Sequence, residues 1–118
     1  EEMRHAIHDT YRNTGYVLDP HTAVASAVYK KYRKESGDET KTVIASTAGP
    51  YIFTRSVMNA IGESCEGKDD FELADALSRL SGTELPKAVE EIRTAPVLHD
   101  TVVEIPEMKA AVKEFLGM

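Results

Sequence analysis

Residues 41–53 read KTVIASTAGPYIF, and the fold class turns on them. Thr42-Val43-Ile44-Ala45 is a short apolar run with β-branched residues, bounded upstream by a polar segment and downstream by Ser46-Thr47-Ala48-Gly49-Pro50. That pattern predicts a buried strand ending in a tight loop. Phe53-Thr54 and an apolar-periodic segment follow, so the order is strand, loop, helix. Ligands of open α/β sheets lie beyond the carboxyl ends of the strands, which makes Ser46 and Thr47 the hydroxyls placed to meet one, near a helix start. The same pentapeptide is also what an ordinary strand-to-helix turn looks like, with Gly49 at the bend. It is not a phosphate loop of the Gly-x4-Gly-Lys-Ser/Thr type.

Upstream of this stretch, Met3, Ile7 and Tyr11 recur every four residues and predict one face of a helix over residues 1–13, stopped by Gly15. A brief apolar run, Tyr16-Val17-Leu18, is expected to be extended. Asp19-Pro20 then opens a second helix, Asp as cap and Pro at the first helical position. Its predicted inner face carries Ala23, Ala27, Val24, Val28 and Tyr32, and its basic end suits the helix dipole. Downstream, Thr54 is a cap for a third helix through Val57, Met58 and Ile61, stopped by Gly62. Asp69 or Asp70 caps a fourth, with Leu73, Ala76, Leu77 and Leu80 inward. Pro86 begins a fifth with Val89 and Ile92 inward. Residues 101–105 have β-branched character and predict another strand. Pro106 starts a last helix with Met108, Val112, Phe115 and Leu116. The expected architecture is α/β and helix-rich, about six helices with two or three short strands, in one segment over residues 1–118.

The 118 residues suffice for about one domain with a modest core. A formal net charge of −6 argues against nucleic acid, which wants a basic face, and against an anionic membrane surface. No apolar run approaches the ~20 residues that span a bilayer. The single cysteine, Cys65, cannot form an internal disulfide, which fits a reducing, cytoplasmic setting. Its neighbours Glu63 and Glu66 disfavour a thiolate nucleophile.

Other polar motifs carry less. His21 heads the second helix, where it is placed to touch an anionic ligand, though capping by Asp19 explains the Asp19-Pro20-His21-Thr22 run without one. His5 and His8 are three apart but lack a third metal ligand, so no metal is expected. His99 beside Asp100 is half of a dyad with no nucleophile. The eight lysines sit in polar settings, whereas a Schiff-base lysine needs a desolvated pocket.

Two segments together, Gly15-Tyr16-Val17-Leu18-Asp19-Pro20-His21-Thr22-Ala23-Val24 and Thr42-Val43-Ile44-Ala45-Ser46-Thr47-Ala48-Gly49-Pro50, resemble in order and spacing the C-terminal part of threonine synthase. The resemblance runs on through Thr101-Val102-Val103 and the last helix, and so covers essentially the whole chain. It implies a three-layer, tryptophan-synthase-β-like (fold type II) enzyme that uses pyridoxal 5'-phosphate to convert O-phospho-L-homoserine and water to L-threonine and phosphate. It implies that Thr47, with Ser46 as second choice, meets the cofactor's pyridine nitrogen, and that His21 and Gly49 lie near the active site. A neutral hydroxyl there leaves the nitrogen largely unprotonated. The family pattern has Lys before the Phe and Ser or His before the Pro, where this sequence has Ile52 and Gly49. The Schiff-base lysine and glycine-rich phosphate loop of that family belong to an N-terminal region. The resemblance therefore implies a C-terminal segment that is inactive and binds no cofactor alone. A strand left without neighbours and an open apolar face predict that it self-associates, by strand pairing or helix docking. A non-catalytic helical interaction domain is the alternative, since amphipathic helices and an acidic surface serve either.

Overall fold

Helix boundaries in the computed structural model, which describes residues 1–118, follow local start and stop signals closely. Six α-helices are present: α1 (Glu2–Thr14), α2 (Pro20–Ser36), α3 (Thr54–Ile61), α4 (Asp70–Ser81), α5 (Lys87–Arg93) and α6 (Met108–Phe115). Asp19 caps α2, with Pro20 at its first position, and Gly37 ends it at φ 68°. Gly15 ends α1 at φ 75°, a left-handed conformation that favours a residue without a Cβ. Asp69 and Glu72 form a reciprocal capping box at the start of α4: the Asp69 carboxylate accepts from the Glu72 amide at 2.8 Å, and the Glu72 carboxylate accepts from the Asp69 amide at 2.8 Å. Thr54 is not a cap. A 3₁₀ turn, Pro50–Phe53, leads into α3, and the Thr54 hydroxyl donates back to the Tyr51 carbonyl at 2.8 Å.

The core lies where α1, the Val17-Leu18 run, the start of α2, α3 and α4 meet. Ile7, Ala23, Val57, Leu73 and Leu77 are fully buried there and Met58 nearly so. Cys65 closes the core beneath the α3–α4 loop, its thiol donating to the Arg55 carbonyl at 3.7 Å. Arg55 holds that loop through the carbonyls of Cys65 (3.1 Å) and Lys68 (2.9 Å) and the Asp70 carboxylate (2.9 Å). Lys31 on α2 pairs with Glu2 on α1 at 2.7 Å.

The predicted strands do not form. Residues 42–45 and 101–104 carry no β pairing, and Val43 is 94% exposed. A strand is stable only when its amides and carbonyls meet another strand, and these 118 residues supply no partner. The helical part of the α/β expectation holds and the sheet does not. The same absence of neighbours leaves other predicted inner faces outside. On α2 the buried side is Ala23 with Ala27, while Val24, Val28 and Tyr32 are each at least half exposed. On α4, Leu80 sits at the edge of exposure, and on α5 Val89 is half-buried while Ile92 is exposed. The predicted inner face of α6, from Met108 to Leu116, is exposed throughout.

The last third of the chain is an arm. Arg93 ties α5 to α4 with two hydrogen bonds to the Asp75 carboxylate, 2.6 and 3.1 Å, and lies over the Phe71 ring at 5.3 Å. Beyond it, Val97, Leu98, Val102, Ile105 and Phe115 are all exposed. The radius of gyration is 18.6 Å, against about 13–14 Å for a closed globule of this length.

Candidate functional site

The start of α2 and the loop after residue 45 are brought together by one buried carboxylate. Asp19 is 2% exposed, and its two oxygens do different work. Oδ1 accepts from the amides of His21 (2.8 Å) and Thr22 (3.1 Å), which is ordinary helix capping. Oδ2 faces the other way and accepts from the hydroxyls of Thr22 and, at 3.2 Å, Ser46. Thr22 Oγ1 and Ser46 Oγ are themselves 2.8 Å apart. Ser46 Oγ also lies 3.3 Å from the Ala48 carbonyl, which turns the loop. No buried side-chain polar atom in the chain lacks a partner, as a satisfied network requires.

Burial pushes the Asp19 carboxyl upward, but the hydrogen bonds from the Thr22 hydroxyl and amide, the His21 amide and the Ser46 hydroxyl outweigh it. They hold the group below the usual aspartate range. A carboxyl that titrates lower in the folded than in the unfolded chain stabilises the fold above the unfolded value, about 3.9. That contribution is lost as pH falls through the folded value. Urea midpoints at pH 6 and pH 3 are therefore expected to differ more for the natural chain than for Asp19→Asn, which keeps a capping side chain without the charge. Equal pH sensitivity of the two proteins would show that Asp19 is not a source of acid lability.

The four residues singled out from sequence have distinct places here. Ser46 is engaged in the ring with Asp19 and Thr22. Thr47, the next residue, is exposed and takes no part in that ring. His21 is exposed at the first turn of α2, its ring packed at 5.1 Å and 58° on Phe53, which ends the 3₁₀ turn. Gly49 precedes that turn at φ −105° and has open space where a Cβ would stand. Neither backbone nor packing demands glycine at this position. A side chain branching from Cα here would meet no steric bar at its Cβ.

This geometry separates the two hydroxyls. Ser46 is committed to internal acceptors and is suited to hold the loop, whereas the Thr47 hydroxyl is available to an outside acceptor such as a neutral pyridine nitrogen. An exposed hydroxyl at Thr47 is compatible with such an acceptor. All eight lysines are exposed, so none has the desolvated setting that makes an amine a carbonyl nucleophile at neutral pH. No group of three His, Cys, Asp or Glu side chains converges to hold a metal, and His8 instead contacts Asp9 at 3.3 Å. His99 and Asp100 are exposed in the arm.

Asp19 and Thr22 are members of this arrangement that the sequence reading did not assign to the site. Asp-Pro-x-Thr was legible as a cap. A threonine three residues after the capping aspartate was the signal that its second oxygen has a use beyond capping.

The family model "Threonine synthase, C-terminal" matches residues 22–115, a span that takes in Thr22, Ser46, Thr47 and Gly49 but neither Asp19 nor His21. "Threonine synthase-like 1" of Mus musculus is 46% identical over 57 residues, and the human protein of that name is 42% identical over 57 residues. In each case the match covers 48% of this chain and 7% of the relative, so the chain spans a small part of the length of the curated relatives it resembles.

Proposed function

We propose a function from one premise: the chain belongs to the threonine synthase family, as part of its C-terminal domain. It is the C-terminal segment of a larger enzyme of tryptophan-synthase-β-like fold that takes O-phospho-L-homoserine and water to L-threonine and phosphate. When bound, pyridoxal 5'-phosphate supplies the electron sink for elimination and replacement on the substrate's side chain. This chain would supply a wall beside the cofactor ring, where the Thr47 hydroxyl would hold the ring nitrogen and leave it largely unprotonated. His21, on Phe53, borders the same loop. The lysine that bonds the cofactor and the phosphate-binding loop lie on another part of the protein. Catalysis is expected in the cytoplasm, and no helix of this chain is long and apolar enough to cross a membrane.

The observation that supports this reading is the exposed Thr47 beside a loop held from within by Ser46 and Asp19. Its test is phosphate release from O-phospho-L-homoserine by the full-length protein and by the 118-residue chain, each with added cofactor. Release by the full-length protein alone is expected. Release by the isolated chain, or specific borohydride-trapped labelling of one of its lysines, would contradict the division of labour.

The isolated chain is also expected to self-associate. Its unpaired 42–45 segment and the apolar side chains of α6 lie open to solvent, as edges and patches that pair readily. Sedimentation velocity checks this, and a strict monomer across a hundredfold concentration range would oppose it.

A further inference from the structure

We propose that Asp19 is a positioning residue for the Ser46-Thr47 loop, acting across the fold through Ser46 rather than merely capping α2. The proposal deepens the cofactor-wall reading and rests on it for its catalytic meaning, but the coupling itself is a property of the loop. Capping needs one carboxylate oxygen, and Oδ1 satisfies both amides by itself. Oδ2 is free of that duty and meets a hydroxyl 27 residues away in sequence. Thr22 braces the contact from the side, with its hydroxyl 2.8 Å from Ser46 Oγ. The whole arrangement is anchored at a carboxylate that is 2% exposed. No strand pairing holds this segment, since residues 42–47 have no β partner. Apart from the contacts of Ser46 with Asp19, Thr22 and the Ala48 carbonyl, its side-chain hydrogen bonding is local, from Thr42 Oγ1 to the Thr40 carbonyl at 3.1 Å. A loop without sheet neighbours that is tied at Ser46 takes its geometry from there. The residue set by it is Thr47, one residue beyond the tie.

Serine caps a helix about as well as aspartate but has no second oxygen, so Asp19→Ser separates the two roles. Backbone order parameters from ¹⁵N relaxation of the 118-residue chain read the result. In the natural chain the amides of Ser46, Thr47 and Ala48 are expected near the rigid value of about 0.85, and in Asp19→Ser below about 0.6, while α2 stays rigid. Ser46→Ala should loosen the same amides, the double variant should be no looser than either, and Ser46→Thr, which keeps the hydroxyl, should restore them. Should Asp19→Ser fail to fold, Ser46→Ala, at an exposed residue, carries the test. In the full-length protein the same loosening should lower phosphate release about tenfold, with Ser46→Thr recovering it. A loop as rigid in Asp19→Ser or Ser46→Ala as in the natural chain overturns the proposal and leaves Asp19 a cap. If instead the loop loosens as expected but Thr47→Val leaves turnover unchanged, the coupling stands and the cofactor-wall reading falls.

Discussion

Thr47→Val in the full-length protein is expected to slow phosphate release roughly 10- to 50-fold, the loss of one hydrogen bond worth about 1.4–2.3 kcal/mol in a water-poor site. Valine keeps the branched shape and removes only the hydroxyl. Thr47 is exposed in the chain and outside the Asp19-Thr22-Ser46 ring, so stability should move by less than about 0.5 kcal/mol. The effect should therefore sit in turnover and in cofactor affinity and not in the melting curve. Thr47→Ser, which retains the donor, should recover most of the rate. Steady-state kinetics with O-phospho-L-homoserine and a cofactor titration measure both quantities. Unchanged values in Thr47→Val would remove this residue from the site and shift attention to Ser46 or to residues outside this chain.

Leu77→Ala is expected to cost about 3–4 kcal/mol, within the usual range for emptying a fully packed leucine site. Leu77 is 0% exposed and sits on α4 among Ile7, Met58 and Leu73. Only 16 of the 118 residues are buried, so total stability falls at the low end of the roughly 5–15 kcal/mol of natural domains, and this one substitution should remove most of it. Phe115→Ala is the contrast: a larger apolar side chain, but 81% exposed on α6, with an expected change within about 0.5 kcal/mol. Urea unfolding followed by circular dichroism compares the two at a protein concentration low enough to suppress association. A comparable loss in both would mean that the arm packs onto the core in solution.

The contrast between these two residues also marks how far the sequence could be read. Leu77 and Phe115 carry the same signal, an apolar residue on the predicted inner face of an amphipathic helix. Periodicity says which side of a helix wants burial and is silent on whether anything is there to bury it. Val24, Val28 and Tyr32 make the point within α2 itself, since they run beside Ala23 on the helix surface and yet face solvent. The strand expectation at Thr42-Val43-Ile44-Ala45 failed for the same reason. Its β-branched composition is a preference for a pleated, partnered environment, and no segment of these residues pairs with it. At the site, the hydroxyl pair Ser46-Thr47 was legible as a place for a ligand. The ranking of Thr47 over Ser46 rests on the resemblance, and the ring around Ser46 leaves Thr47 the freer of the two hydroxyls.

What the sequence alone determined here is local. Asp19-Pro20, the Asp69–Glu72 capping box and the glycines at 15 and 37 set where helices begin and end, because each acts through hydrogen bonds or a backbone angle within a few residues of itself. What only the tertiary structure decided is which apolar faces find cover, that no sheet forms, and that Asp19 reaches Ser46. Those outcomes depend on groups far apart along the chain, or absent from it, and burial and strand pairing are energies of contact that no single segment contains.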